Sequence, residues 1–391
     1  MRLRYRVLVS LAVLLGCIAA FQLLTAISEG GEGPIASTLQ RMSAAAGRAE
    51  HSIRQRISGS SRAKDLAWFD RYRVSTSLLR NPDSILLGAY DSGIPATLEG
   101  IETLEQSLGV SLPLIQVYTA WGDKPEQQFP LRLLSAISNF GSVPLVTWEP
   151  WLTDFENQRH PGIALRNVRE KHGMAAVAAG DYDFYIDEWA TQAARFGKPI
   201  FVRLGHEMND AYRYPWGPQN NTKEEFIAAW QHVVDRFRAA KATNVLWVWS
   251  PHVAYKYWEL YYPGDAYVDW SATGALNYGP IAQWSQWWSF DEIFGVRYKA
   301  LAKFGKPIMI AEFGSLAVGG DRDDWYRNAL TNLPARYPQV KAVLLFNVGA
   351  DQTVTYQKVD WTVNGDSFVR RAITEAVQPW APGSAPTSAP R

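Results

Sequence analysis

The chain has 391 residues, which is enough for one large domain or two average ones around a packed core. Hydrophobic residues make up 47% of it and charged residues 20%, a balance typical of globular proteins that excludes a largely disordered chain. The net charge of +1 is unevenly divided, because residues 1–80 carry +7 and residues 81–391 carry −6. The acidic main body argues against nucleic acid as a ligand.

The first 28 residues resemble a signal anchor or signal peptide. Three arginines precede an apolar run at residues 7–26, which is long enough to span a membrane with the main body outside the cytoplasm. Three interpretations stay open: an uncleaved signal anchor, a signal peptide cleaved near residues 26–28, or a lipoprotein whose lipobox ends at Cys17. All three place the body beyond the cytoplasmic membrane, in the periplasm or outside the cell. Cys17 is the only cysteine, so neither an intramolecular disulfide nor a cysteine-based metal site can form.

The segments that flank the main body have biased compositions. Residues 29–80 are rich in Ser, Ala, Gly and Arg and show no clear core pattern before residue 66, which predicts a stalk or linker. Residues 379–391 are rich in Pro, Ser and Ala and predict a disordered tail. Residues 81–378 are therefore predicted to form the folded domain.

Eight short apolar runs recur within this domain, and most of the gaps between them contain an amphipathic, helix-like stretch. Apolar strands that alternate with helices predict a parallel sheet covered on both faces. Eight such units in about 290 residues favour a closed (β/α)8 TIM barrel over an open doubly wound sheet. The runs are residues 85–90, 113–118, 143–148, 200–204, 245–249, 271–276, 308–311 and 340–346.

A repeated joint between helix and strand supports the barrel. The sequence Phe-Gly-Lys-Pro-Ile occurs at residues 196–200 and again at 304–308, with a looser copy at 140–144. Its glycine suits the left-handed cap that ends a helix, and its proline suits the first residue of a strand. Equivalent joints of this kind are expected in a repeated β/α architecture.

Both exact copies of the joint lead to a glutamate near the end of the strand that follows. Glu207 comes after the fourth strand and Glu312 after the seventh, and these strands face each other across the mouth of a barrel. Two carboxyl groups about 5–5.5 Å apart on either side of one bond are the machinery of retaining glycoside hydrolysis. Either glutamate alone is more simply interpreted as a solvated loop acid or a helix cap. Their matched positions favour the catalytic interpretation for the pair.

A histidine and several aromatic residues are predicted to line the same mouth. His206 precedes Glu207 and is placed to reach the sugar or the other carboxylate, whereas Glu149 is predicted to be a structural or sugar-hydroxyl partner. No cluster of His, Asp and Glu has metal-ligand spacing and no phosphate-binding glycine motif occurs, so no metal and no other cofactor is predicted. Indole and phenol rings suit stacking on sugar rings. The predicted stacking residues are Trp148, Trp151, Tyr212 and Trp216.

Six ordered motifs between about residues 84 and 375 resemble glycoside hydrolase family 26. The resemblance implies a retaining β/α-barrel enzyme with Glu207 as acid/base and Glu312 as nucleophile, and His206 matches the family's histidine before the acid/base. It also implies that Trp249 belongs to the substrate site and that Tyr278 hydrogen-bonds the nucleophile. The motifs are residues 147–151 (TWEPW), 203–209 (RLGHEMN), 214–217 (YPWG), 249–251 (WSP), 262–269 (YPGDAYVD) and 311–314 (AEFG).

The chain departs from this family pattern at three places near the site. Tyr212 stands where tryptophan is usual, and the segment from there to Trp216 is one residue longer. His252 stands where asparagine is usual, and residues 346–351 lack the tryptophan associated with mannanases. The resemblance implies action on β-mannans, mixed-linkage β-glucans or β-1,3-xylans, and the choice among them stays open.

The sequence therefore predicts a membrane-tethered retaining endo-β-glycanase whose partners are a polysaccharide or oligosaccharide substrate and, through residues 7–26, a membrane. Burial should keep Glu207 protonated before reaction, while Glu312 stays ionised. Two alternatives remain: a tethered enzyme that trims or transglycosylates the cell's own exopolysaccharide, and a non-catalytic carbohydrate-binding barrel. The apolar N-terminal run disfavours a cytosolic metabolic enzyme.

Overall fold

The computed structural model describes residues 62–252 and 254–381. Eight strands form a closed barrel in which each strand pairs in parallel with the next, and the last pairs with the first. The predicted barrel is thereby confirmed, and every strand overlaps its predicted apolar run. The strands are β1 Leu86–Asp91, β2 Leu114–Ala120, β3 Val143–Glu149, β4 Ile200–Leu204, β5 Val245–Trp249, β6 Trp270–Asn277, β7 Ile308–Ser315 and β8 Val340–Asn347.

Helices surround the barrel and connect its strands. The part of the β5–β6 connection that the structure describes contains two 3₁₀ helices, Trp258–Tyr261 and Asp265–Tyr267, where the other connections contain an α-helix. The α-helices are α1 Thr76–Leu79, α2 Glu99–Leu108, α3 Leu131–Asn139, α4 Gly173–Ala179, α5 Asp183–Phe196, α6 Lys223–Ala239, α7 Phe290–Leu301, α8 Arg322–Arg336 and α9 Ser367–Val377.

The repeated joint has the predicted geometry. Gly197 ends α5 at φ +66°, and Gly305 follows the 3₁₀ turn after α7 at φ +65°. Both angles lie in the left-handed region that glycine adopts at little steric cost. The proline two residues later stands directly before β4 in one copy and before β7 in the other. The joint therefore starts the two strands that carry the candidate glutamates in the same way.

The segment before β1 closes the N-terminal end of the barrel. Leu66, Phe69 and Tyr72 are buried and pack with residues of the barrel interior, among them Phe201 and Leu246. The compact unit begins at residue 62. Residues 62–80, which the sequence assigned to the stalk, are thus part of the barrel domain, because Leu66, Phe69 and Tyr72 fill the bottom of the barrel.

A buried ion pair fixes this segment to the wall of the barrel. Arg62 bonds Glu105 at 2.8 Å, and it also donates to Ser142 Oγ at 2.7 Å. Both charged side chains are nearly inaccessible to solvent. Removing one partner would leave the other charge buried and unpaired, which typically costs about 3–5 kcal/mol.

The remaining predictions on the termini fall mostly outside the described residues. These are the anchor or signal (residues 1–28, with the apolar run 7–26), the stalk from 29 to 61 and the tail from 382 to 391. Within residues 62–252 and 254–381, no helix is long and apolar enough to cross a membrane. The first residues of the predicted tail extend α9 in a 3₁₀ helix, Gln378–Trp380, and Trp380 is only 8% exposed.

Candidate active site

Glu207 lies beyond the end of β4 in a left-handed backbone conformation, with φ +55°. A non-glycine residue in such a conformation costs about 1–3 kcal/mol and persists only where its surroundings hold it. The N–H of Glu207 donates to Ser250 O at 2.7 Å, and the N–H of Asp210 donates to Glu207 O at 2.9 Å. The end of β5 and the turn after β4 therefore maintain this strained position.

Glu312 lies within β7, and one of its oxygens is fixed by two donors. Its Oε1 accepts hydrogen bonds from the hydroxyl of Tyr118 at 2.7 Å and from Nη2 of Arg203 at 2.8 Å. Arg203 is itself buried and donates from Nε to Thr147 Oγ1 at 2.9 Å. The other oxygen, Oε2, lies beside Gly274 of β6, where an added Cβ would be 4.0 Å away. The absence of a side chain at Gly274 leaves space next to Oε2.

The two glutamates have oppositely shifted pKa values. Burial, with a smaller contribution from the charge of Glu312, raises the pKa of Glu207 to about 7 against the opposing charges of His206 and Arg213. Burial acts in the same direction on Glu312, but the charges of Arg203 and His206 and the hydrogen bonds from Tyr118 and Arg203 lower its pKa to about 2. Between these values one carboxyl group is protonated and its partner is ionised, which is the arrangement required of a proton donor and a nucleophile.

His206 is buried beside Glu207 and is held by the end of β3. Its Nε2 lies 3.0 Å from Glu149 Oε1, and Glu149 Oε2 accepts from Trp151 Nε1 at 3.2 Å. The imidazole packs against Tyr214 with ring centroids 4.8 Å apart, and Trp216 donates to its backbone carbonyl at 2.8 Å. Burial opposes ionisation of Glu149, but the hydrogen bond and charge of His206 lower its pKa. Glu149 therefore positions His206.

Glu207 and Glu312 line one cavity of about 570 Å³ at the C-terminal mouth of the barrel. Two tryptophans from the β6–α7 loop, Trp284 and Trp288, contribute to its wall. The indole of Trp284 is 54% exposed and packs edge-on against Tyr278, with ring centroids 5.1 Å apart. An exposed, edge-supported indole beside two carboxyl groups suits stacking of a sugar ring.

Two of the predicted stacking residues, Trp148 and Trp216, and Trp249, which the resemblance placed in the substrate site, are in the core instead. Trp148 and Trp249 are fully buried and Trp216 is 1% exposed. Trp148 stacks on Trp189 of α5 at 4.5 Å, on the outer face of the barrel wall. Successive side chains of a strand point to opposite faces, so Trp148 points outward because Glu149 points to the mouth. The prediction that these three residues contact substrate was wrong because all three are buried in the core, Trp148 through its direction on β3.

The other predicted aromatic residues lie nearer the mouth. Trp151 is half-buried and holds Glu149, and Tyr212 is 78% exposed next to Tyr255. Tyr278 lines the cavity, as expected of a substrate-binding residue. The hydrogen bond that the family resemblance assigned to Tyr278, however, comes from Tyr118, because β2 brings that hydroxyl to Glu312.

Sequence reasoning missed Tyr118 and gave Arg203 no role. Both pair in register with Thr147, so one level of the barrel carries three neighbouring polar side chains below Glu312. A signal was present, because each is a polar residue inside a largely apolar strand, close to its C-terminal end. This signal was weak, since the sequence does not show which strands place their side chains next to one another in the barrel interior.

His252 and Arg213 flank Glu207 on two sides. Nε2 of His252 is 3.7 Å from Glu207 Oε1, and Nη1 of Arg213 is 3.5 Å from Glu207 Oε2. The N–H of Ala254 donates to Nδ1 of His252 at 3.0 Å, so the neutral imidazole carries its proton on Nε2. Burial, assisted by the charge of Arg213, lowers the pKa of His252 to about 4. A neutral N–H donor thus lies beside the candidate acid.

The fold also brings together three groups whose sequence spacing did not predict a cluster. Donor atoms of Glu207, Asp210 and His252 lie within 4.8 Å of one another, as in a metal site. Arg213 places its guanidinium 3.5 Å from Glu207 and 4.0 Å from Asp210. This fixed positive charge opposes the binding of a cation among them.

The fold and the site together define the class of the protein. A closed β/α barrel with one protonated and one ionised carboxyl group in a cavity at its C-terminal mouth, beside an exposed indole, is the arrangement of a glycoside-cleaving barrel. Comparison with known proteins gives the family.

The family model described as "Glycosyl hydrolase family 26" matches residues 170–337. Endoglucanase H of Acetivibrio thermocellus is 32% identical over 308 residues, which are 74% of this chain and 31% of that protein. Mannan endo-1,4-beta-mannosidase A and B of Caldalkalibacillus mannanilyticus is 27% identical over 159 residues, which are 39% of this chain and 28% of that protein. The chain spans about a third of the length of these curated relatives.

A solved structure, a family 26 β-mannanase from Bacteroides ovatus, has the same fold. It superposes with a TM-score of 0.54 at 18% identity, covering 77% of this chain and 90% of that one. The chain belongs to glycosyl hydrolase family 26.

Proposed function

We propose that the protein is a retaining endo-β-glycanase that hydrolyses a β-linked polysaccharide by double displacement, with Glu207 as acid/base and Glu312 as nucleophile. The observation that carries the proposal is the opposite protonation of two carboxyl groups in one cavity, with pKa values of about 7 and about 2. Membership of a family of glycosyl hydrolases supports it.

In the first step, protonated Glu207 donates to the glycosidic oxygen while Glu312 attacks the anomeric carbon. Because Tyr118 and Arg203 hold Oε1, the oxygen that attacks is Oε2, which borders the space beside Gly274. The bond from the anomeric carbon to the leaving oxygen breaks as the bond to Oε2 forms, and the leaving sugar departs with the proton.

In the second step, ionised Glu207 takes a proton from water, and the resulting hydroxide displaces Glu312 from the anomeric carbon. Two inversions give net retention. Once Glu312 is esterified its negative charge is lost, so one contribution that raises the pKa of Glu207 disappears at the moment when Glu207 must act as a base.

For the substrate, we favour a β-glucan over a β-mannan. The similarity to Endoglucanase H extends over 308 residues at 32% identity, whereas the similarity to a mannosidase of Bacillus subtilis extends over 194 residues at 27%. The sequence departures at Tyr212 and His252 concern the same wall of the mouth and support a substrate other than the mannan associated with the usual family pattern.

We also propose, from the apolar run at residues 7–26 alone, that the barrel lies outside the cytoplasm, attached to the membrane unless the run is cleaved off. Fractionation of cells that express the full chain, with protease added to intact spheroplasts, tests this. A barrel that stays protected from protease would contradict the proposal.

Reducing-end release from a panel of mixed-linkage β-glucan, cellulose, β-mannan and β-1,3-xylan tests the activity, and ¹H NMR of the first product tests the stereochemistry. We expect the β-anomer, and an initial α-anomer would refute retention. Glu312→Gln and Glu207→Gln should each abolish turnover. The matched control is Glu292→Gln, since Glu292 borders the same cavity but is exposed and caps α7 through Ser289, a role that glutamine can fill.

A further inference from the structure

The cavity contains more positive charge than its two catalytic carboxyl groups need. Arg203, below the cavity, pairs with Glu312. Two further arginines, Arg213 and Arg297, line the cavity wall itself. A neutral polysaccharide offers only hydroxyl groups to such side chains. Its cleavage uses the charge of Arg213 only to adjust the pKa of Glu207, and it leaves the charge of Arg297 unexplained.

Arg297 has no anionic partner in the part of the chain that the structure describes. It projects from α7 and is half-buried, and within residues 62–252 and 254–381 no carboxylate oxygen lies within 4.0 Å of its guanidinium. Glu259, which is exposed, acts on it only from a greater distance. Partial burial of a charge without a partner is unfavourable, and an anion that enters the cavity would relieve it.

Arg213 is only weakly paired. Its contacts with Glu207 and Asp210 are 3.5 and 4.0 Å long, beyond the distance of a good charged hydrogen bond. Before reaction Glu207 is protonated, so one of these two partners carries no charge. The guanidinium carbon also lies over the ring of Tyr214, 5.7 Å from its centroid, and Arg213 lines the cavity.

The other acid on the cavity wall does not neutralise these arginines. The carboxylate of Glu292 accepts hydrogen bonds from the N–H and hydroxyl of Ser289 and is exposed. The positive charges of Arg213 and Arg297 both act on His252 and disfavour its protonated form. Among the described residues, Arg213 and Arg297 thus lie on the cavity wall without a close carboxylate partner, although residues 81–391 together carry −6.

We propose that the natural substrate is an acidic β-glycan, in which a sugar near the cleaved bond carries an anionic substituent bound by Arg297 and Arg213. A guanidinium offers two parallel N–H groups to a carboxylate or a sulfate ester, and this chemistry is common to both kinds of substituent. The inference rests on the proposed glycanase function and specifies its substrate class.

The test compares matched oligosaccharides from one β-glycan: the neutral form, the form oxidised to uronate at C6, and the sulfate ester. Binding is measured by calorimetry with the full-length Glu207→Gln protein, whose glutamine keeps the neutral state of the acid. We expect an anionic form to bind about tenfold or more tightly than the neutral one, as a single charge-assisted contact allows. Added salt should weaken only the anionic ligand.

Variants assign the effect to the cavity. Arg297→Gln in the same background should remove most of the preference, and Arg297→Lys should retain part of it. The matched control is Arg195→Gln, because Arg195 is exposed in the last turn of α5, at the opposite end of the barrel. Equal binding of neutral and anionic forms, or an unchanged preference in Arg297→Gln, would overturn the proposal.

Turnover by the wild-type protein on the same oligosaccharides separates this inference from the proposed function. Cleavage of the neutral form without any preference in binding refutes the acidic substrate and leaves the glycanase in place. Preferential binding of an anionic form without cleavage of any form refutes the glycanase and leaves an acid-selective carbohydrate-binding site.

Discussion

Arg213 should control the alkaline limit of activity. Its Nη1 lies 3.5 Å from Glu207 Oε2 and stabilises the ionised carboxylate. The proposed mechanism requires Glu207 to be protonated, so kcat/KM should fall as the pH rises through the pKa of Glu207, which is about 7. Replacing Arg213 with glutamine removes the positive charge, and the pKa of Glu207 should rise.

The size of the shift follows from Coulomb's law. Two unit charges separated by 3.5 Å interact by about 1 kcal/mol in water and about 5 kcal/mol at an effective dielectric constant of about 20. The Arg213 side chain is 30% exposed, so we take the lower part of this range, about 1–2 kcal/mol. One pKa unit corresponds to about 1.4 kcal/mol, and the pKa of Glu207 should therefore rise by about 1 unit.

The assay is the pH profile of kcat/KM for wild type, Arg213→Gln and the remote control Arg195→Gln on a neutral glycan. The alkaline limb of Arg213→Gln should move up by about one pH unit, while its acid limb stays in place because Arg203 and Tyr118 govern Glu312. A limb that stays fixed, or that moves to lower pH, would show that Arg213 does not act on the catalytic acid.

Three further variants test other parts of the site. Tyr118→Phe removes a hydrogen bond of 2.7 Å to Glu312 and should raise the acid limb of kcat/KM by about 1–2 pH units, since such a bond to a charged group is worth about 1.5–3 kcal/mol. An acid limb of Tyr118→Phe that coincides with that of wild type would contradict the role of this hydrogen bond. Glu207 has a raised pKa in the folded state, so the protein should lose stability as the pH rises from about 4.5 to about 7, by up to about 3 kcal/mol. Glu207→Gln should then melt at a higher temperature than wild type at pH about 8 but not at pH about 4, and equal differences at both would contradict the shift. Trp284→Ala should raise KM about tenfold with little change in the free energy of unfolding, because the indole is largely exposed; a loss of stability alone would instead assign it to the core.

The barrel, and the presence of Glu207 and Glu312 in one cavity at its mouth, could be predicted because each depends on local pattern. Strand periodicity and the repeated joint are visible in the sequence, and the joint indicated which two strands lead to Glu207 and Glu312. The expectation that both glutamates follow their strands was wrong for Glu312, which lies within β7. The surroundings of the pair depend on side-chain direction instead. Trp148 shows the difference, since a shift of one residue along a strand moves a side chain from the mouth to the helix layer.

Contacts between side chains from strands far apart in the sequence were the second feature that the sequence did not predict. Tyr118 and Glu312 are 194 residues apart, and their contact exists only because the barrel closes. The predicted start of the barrel domain at residue 81 was wrong for a related reason. The apolar residues of 62–80 follow no clear strand or helix period and are mixed with charged ones, yet Leu66, Phe69 and Tyr72 pack into the barrel interior at its N-terminal end.

The two glutamates differ in protonation because they stand at different heights on their strands. Glu312 lies within β7, at the level where Arg203 and Tyr118 reach it from the barrel interior. Glu207 lies beyond the end of β4, in a strained turn, where aromatic burial acts on it and Arg203 is only a minor influence. The repeated joint starts both strands alike, so the difference comes from the distance of each glutamate from that joint. Glu312 follows Ile308 by four residues and stays inside β7, at the level that Arg203 reaches, whereas Glu207 follows Ile200 by seven residues and lies past the end of β4, where burial dominates and raises its pKa.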